Sequence, residues 1–322
     1  MLRFTLNYLM AAVSAVAMIV APVGAGRASA IAHGEDAADG AYRFSVRLTM
    51  TGLPVAGGGT RDSWCSGALV APRWVITAGH CFRDSDGQRV SHVVARRTDV
   101  TVGRTDLTGR DGYEAEVVAV HQSGTADVAL AELDTAITGV VPLRVGTTPP
   151  VPGEDLRLTG YGLTGVDGPA PPDRLQTGRF TVGRVGTAVI ETSGREPRAD
   201  TSPCPHDSGG PYFREQADGT AVLVAVVSTG PGCPHPGPDF GARTDNLGDW
   251  IAGTTESTAG PARWMPPRWM PARWMPAGIG GGVLLLLLLA GLLALVARRR
   301  RPTAKPEQGP DGVGYDLVRV RR

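Results

Sequence analysis

Over most of the chain, apolar and polar side chains alternate in short runs. Residues 43–48 read Arg-Phe-Ser-Val-Arg-Leu, so an extended backbone puts Phe44, Val46 and Leu48 on one face. Residues 98–103 alternate in the same way and stop at a glycine, as a strand running into a turn does. Residues 68–70 and 74–76 are separated by Ala71-Pro72-Arg73. Further strand patterns cover 114–120, 127–133, 157–159, 179–182, 187–190 and 221–227, most of them bounded by Gly, Pro or Asp. Many short strands and few helical periods predict an all-β barrel architecture. Only residues 245–251 carry a helical hint.

The two ends break this pattern. Residues 1–30 read as a signal peptide, with Arg3 at the start, an apolar stretch over 10–25 and the small-residue cleavage site Ala28-Ser29-Ala30. Export follows, and with it an oxidising compartment. Residues 256–276 form a Pro-rich stalk with a five-residue repeat: Arg263-Trp264-Met265-Pro266, Arg268-Trp269-Met270-Pro271 and Arg273-Trp274-Met275-Pro276. Proline at this frequency favours an extended spacer, and Trp with Arg suits the membrane interface or a docked partner. Residues 277–297 are 21 uncharged positions rich in Leu, enough at about 1.5 Å per residue for a ~30 Å hydrocarbon core. Arg298 to Arg301 follow, which by the positive-inside rule puts 298–322 in the cytoplasm. The expected location is the plasma membrane, single-pass, with the folded region outside. A glycine-preceded sorting tail, cut near Gly280-Gly281-Gly282, is the alternative.

Charge narrows the function classes. There are 32 basic and 31 acidic side chains, a formal +1, so no nucleic acid partner is expected. The four cysteines allow three pairings. No two of them have zinc-site spacing, and no metal or cofactor is expected.

The candidate chemistry centres on Cys204-Pro205-His206-Asp207-Ser208-Gly209-Gly210-Pro211. Glycines and prolines around one serine describe a tight loop that holds a hydroxyl out and leaves backbone N–H groups free. A serine nucleophile needs a base, and the base an orienting group. His80 in Thr77-Ala78-Gly79-His80-Cys81 and Asp127 in Ala126-Asp127-Val128-Ala129-Leu130 supply them, in the order His, Asp, Ser.

With Trp64-Cys65-Ser66-Gly67, Gly160-Tyr161-Gly162 and Ser228-Thr229-Gly230 also in sequence, residues 31–251 resemble a trypsin-like (chymotrypsin-fold) serine protease. The resemblance implies a double six-stranded β-barrel with a short C-terminal helix, here over 31–255, and a polypeptide substrate. It implies His80, Asp127 and Ser208 as the catalytic residues, and an oxyanion hole from the N–H groups of His206 and Ser208. It pairs Cys65 with Cys81 and Cys204 with Cys233. A new N-terminus at Ile31 would carry its α-amine to Asp207, so signal cleavage itself would complete the site.

Two departures matter. His206 stands where the family usually has glycine. The resemblance would put Ser202 at the base of the primary pocket, with Ser228 and Gly230 lining it, and Asp239 where a wall glycine is usual. A buried carboxylate seeks a cation, which predicts Arg or Lys before the scissile bond; with Asp239 turned to solvent, an aromatic or aliphatic preference follows instead. His33, His92, His121 and His235 are read as structural or solvated, with His92 and His121 in surface turns. The reading from a different class is a catalytically silent homologue serving as a membrane-tethered binding or adhesion module.

Overall fold

The computed structural model describes residues 31–163, 165 and 172–257. The expected signal peptide (1–30), membrane span (277–297) and tail lie outside the described residues, as does the expected stalk (256–276) except for residues 256 and 257, which belong instead to the C-terminal helix. Among the described residues, no helix is long and apolar enough to cross a membrane.

The strands are β1 (Glu35–Asp36), β2 (Ser45–Pro54), β3 (Thr60–Ala71), β4 (Trp74–Thr77), β5 (Arg97–Val102), β6 (Tyr113–Gln122) and β7 (Ala129–Leu133), followed by β8 (Arg144–Val145), β9 (Asp155–Gly160), β10 (Gln176–Val185), β11 (Val189–Glu196), β12 (Pro211–Glu215), β13 (Ala221–Thr229) and β14 (Pro238–Arg243). A helix, α1 (Gly248–Ser257), follows a short 3-10 turn at Asp245–Leu247. The expected helix is therefore present, but its α-helical part starts three residues later and runs further than the pattern suggested.

Strands β2, β3, β4, β7, β6 and β5 close into one antiparallel barrel. The second barrel is the ring β9, β10, β11, β14, β13, β12, closed because β9 pairs with both β10 and β12. Strand β1 adds to β10, and β8 runs parallel to β13. This is the expected double six-stranded architecture.

Alternation explains each wall. Along β5, Thr98, Val100 and Val102 are buried while Asp99 and Thr101 are less so. Val46, Leu48, Leu69, Val75, Val100 and Leu133 fill the first barrel; Leu156, Leu158, Phe180, Ile190 and Tyr212 fill the second. A third cluster joins Phe44, Trp74, Ile76 and Leu130 to Phe213, Leu223, Val226 and Ile251, drawing on both barrels. Each large side chain buried there stabilises by roughly 1.5–3 kcal/mol, and the cluster holds the barrels in one fixed pose. His121 is not in a surface turn. It lies in β6, with its ring edge-on to Trp74 at 5.4 Å.

Candidate active site

The pairing of Thr77 in β4 with Ala129 in β7 sets the first barrel's share of the site. His80 follows β4 on the 3-10 turn at Gly79–Cys81, and Asp127 lies just ahead of β7, so adjacent strand ends bring them together. The His80 Nδ1–H donates to Asp127 Oδ2 at 2.7 Å, and the His80 backbone N–H donates to Oδ1 at 2.8 Å. Ser228 Oγ donates to the same Oδ2 at 2.7 Å, and Arg89 Nη1 lies 3.6 Å from Oδ1. Burial alone would raise this carboxyl, but hydrogen bonds from His80 and Ser228 and the attraction of His80 outweigh it and hold Asp127 at about 2. With Nδ1 committed as donor to a carboxylate, the neutral ring presents Nε2 as acceptor. Ser208 Oγ lies 2.8 Å from it.

Ser208 reaches that position because its loop is clamped to the first barrel. The Ser66 N–H donates to Ser208 O at 2.9 Å and Ser66 Oγ to His206 O at 3.0 Å, while Thr77 Oγ1 donates to Ser66 O at 2.7 Å. Gly209 has φ +82, and a Cβ there would lie 2.0 Å from Thr77 Oγ1. Only glycine lets the two loops approach this closely. The disulfides Cys65–Cys81 and Cys204–Cys233 both form, one behind the histidine loop and one behind the serine loop.

Within the serine loop the Asp207 N–H donates to Cys204 O and the Gly210 N–H to Asp207 O. The N–H groups of His206 and Ser208 have no acceptor among the described residues. His206 adopts φ +77, the left-handed backbone expected of a glycine. Its ring stacks on Trp64, centroids 3.5 Å apart and planes 15° from parallel, and its Nδ1–H donates to Trp64 O at 2.8 Å. Burial pushes the His206 pKa down, as do the charges of Arg61 and Arg47, against a smaller upward pull from the Trp64 carbonyl.

Asp207 is fully buried and accepts the N–H groups of Gly162 (2.8 Å) and Cys204 (2.9 Å), and that of Ile31 as well. Burial outweighs these bonds and raises its carboxyl to about 7. Ile31, itself buried, thus has its backbone nitrogen at Asp207.

Ser202 and Asp239, the residues expected at the primary pocket, are both buried, which removes the option of Asp239 facing solvent. A Cβ on Gly230 would lie 2.1 Å from Asp239 Oδ1, so the carboxyl sits against the backbone at Gly230, just past the end of β13. Of the two options for His235, structural or solvated, its burial removes the solvated one. Its Nε2 stands 3.5 Å from Asp239 Oδ2, and its N–H donates to Ser202 Oγ at 3.3 Å. Burial pushes Asp239 up to about 8, with a smaller repulsion from Asp207.

Sequence reasoning missed three contributors: the Ser66 clamp, the His206 ring on Trp64, and His235 beside Asp239. Ser66 was visible in Trp64-Cys65-Ser66-Gly67, but its bonds with Ser208, His206, Thr77 and Tyr161 join it to segments distant in sequence and leave no local signal.

Two antiparallel barrels with a serine, a histidine and an aspartate hydrogen-bonded in series at their junction define the chymotrypsin-fold class. A trypsin family model matches residues 31–251, and the chain belongs to that family. It is 28 % identical to mouse serine protease 56 over 264 residues, covering 73 % of this chain and 40 % of that protein. It is 27 % identical to human transmembrane protease serine 5 over 254 residues, covering 72 % of this chain and 53 % of that protein. The chain thus spans about half the length of these relatives.

Proposed function

We propose that the protein is an extracytoplasmic serine endopeptidase. The observation that carries this is the unbroken line from Asp127 through His80 to Ser208 Oγ. His80 Nε2 takes the Ser208 proton as Oγ attacks the scissile carbonyl, and the buried Asp127 stabilises the imidazolium that forms. The unpaired N–H groups of His206 and Ser208 receive the developing oxyanion, a contribution worth on the order of 10²–10³ in rate per donor. His80 then protonates the leaving amine, and water, activated by the same imidazole, hydrolyses the acyl-enzyme.

Asp239 supports a preference for Arg or Lys before the scissile bond, since a buried carboxyl in the primary pocket is best satisfied by a cation. The mature N-terminus at Ile31, with its α-amine on Asp207, is the form in which the site is complete. Residues 277–297 anchor the protease domain to the plasma membrane through the 256–276 stalk, or are cut to release it.

Labelling by a fluorophosphonate probe tests the enzyme reading. Labelling of the wild type, absent in Ser208→Ala, is expected. A folded protein that takes no label is a binding module instead.

A further inference from the structure

We propose that Arg61 and Arg83, on the rim of the cleft beside Ser208 that takes the departing amine segment, make this protein select a departing segment bearing a carboxylate. The inference rests on the endopeptidase reading and names part of its substrate class.

The cleft has a volume of about 450 Å³ and is bordered by His80, Ser208, Trp64 and His206, and by none of Ser202, Ser228, Gly230 or Asp239. His80 must place a proton on the leaving nitrogen, so the departing chain begins within reach of its Nε2. From there it runs over the residues flanking His80 on this side.

The Trp64–His206 stack forms one wall. Because Nδ1 donates to the Trp64 carbonyl, the neutral His206 ring keeps a lone pair on Nε2, which has no partner among the described residues. A backbone N–H of the departing chain suits that acceptor whatever its sequence. A left-handed backbone at a residue with a side chain is costly, and it persists here because stacking and the hydrogen bond hold the ring in this wall.

Charge supplies the selectivity. Arg61 and Arg83 also border the cleft, and neither has an ion-pair partner among the described residues. The one acid on the rim, Asp84, accepts the N–H groups of Asp86 and Gln88 with Oδ1, which fixes it in its own turn but leaves its charge, so the rim carries two guanidinium groups against one carboxylate. A rim that remains net positive, with neither guanidinium held in an ion pair, favours a carboxylate.

Acyl transfer reads this subsite separately from the primary pocket. The p-nitrophenyl ester of an N-acylarginine forms the acyl-enzyme, and Ala-Glu-amide or Ala-Lys-amide is added to compete with water. The dipeptide nitrogen attacks the acyl carbon, the ester to Ser208 breaks, and the amine's proton passes through His80 to Ser208 Oγ. The fraction captured is internal to each variant. At low ionic strength Ala-Glu-amide should capture the acyl group about five- to tenfold better than Ala-Lys-amide, and added salt should narrow the gap. R61E/R83E should invert the preference, and His206→Gly should lower capture of both amides alike. Equal capture by the wild type, or a preference unchanged in R61E/R83E, overturns the subsite while leaving the enzyme intact. A wild type that takes no fluorophosphonate overturns the endopeptidase reading, and the subsite falls with it.

Discussion

The imidazole of His206 lies flat on the indole of Trp64, 3.5 Å between centroids, and donates from Nδ1 to the carbonyl of that same residue. A side chain thus holds a peptide unit in a conformation its own Cβ opposes. The contacts offset the strain, and the N–H of His206 stays free of any acceptor among the described residues.

Replacement of His206 separates these terms. Alanine removes the stack and the hydrogen bond but keeps the left-handed strain, whereas glycine removes the strain as well. His206→Gly should therefore be more stable than His206→Ala by about 1–2 kcal/mol in urea unfolding with disulfides intact. Equal stability of the two variants would show that the backbone strain contributes nothing.

The primary pocket should show its carboxyl in a pH profile. Asp239 is raised to about 8 by burial, so below that pH a substrate cation must displace a proton to meet a carboxylate. The ratio of kcat/KM for an Arg substrate to that for a Phe substrate cancels whatever pH dependence the two substrates share. It should rise by up to roughly tenfold per pH unit on approach to pH 8, and Asp239→Gly should flatten it and abolish Arg preference. His235→Ala should favour the Arg substrate by removing the ring whose Nε2 stands 3.5 Å from Oδ2 and competes with a substrate cation for it.

Asp127 makes the opposite contribution. Its folded value of about 2 lies below the ordinary 3.8, so its stabilisation is complete above pH ~4 and is lost as pH falls towards 2. The stability difference between wild type and Asp127→Asn should shrink by about 2 kcal/mol over that interval. A difference independent of pH in acid would remove the ion-paired role.

The start of the mature chain should matter through Asp207. With the peptide bond before Ile31 intact, burial holds Asp207 at about 7. A free α-amine, ordinarily near pKa ~8, would be raised by pairing with it, so its contribution is present below that value and lost as pH rises through the higher one. A protein beginning at Ile31 should hydrolyse esters faster at neutral pH than one beginning at Ala30, and should show an alkaline loss that the longer form lacks. Identical profiles would place no role on the terminus.

Strand patterns were legible wherever one face meets a core and the other meets water, as in 43–48 and 98–103, because period-two alternation is a local consequence of the pleat. The stretch 187–190 was less so. The strand runs instead over Val189–Glu196, whose polar end pairs with β10 and carries little apolar signal. His121 was misplaced for a related reason, since its partner Trp74 belongs to a strand distant in sequence. Cys65 and Cys81 pair as the family resemblance implied, as do Cys204 and Cys233; the cysteine count alone left three arrangements open.

By itself the sequence determined the alternation that builds two barrels, the motifs around His80, Asp127 and Ser208, and the misfit of a side chain at 206. These are carried by neighbours along the chain. Only the tertiary structure decided that Ser66 clamps the serine loop, that His206 lies on Trp64 and that His235 faces Asp239. Each of those contacts joins separate loops across the barrel junction or the pocket, and their geometry is set by how packed cores orient strand ends, which no local pattern encodes.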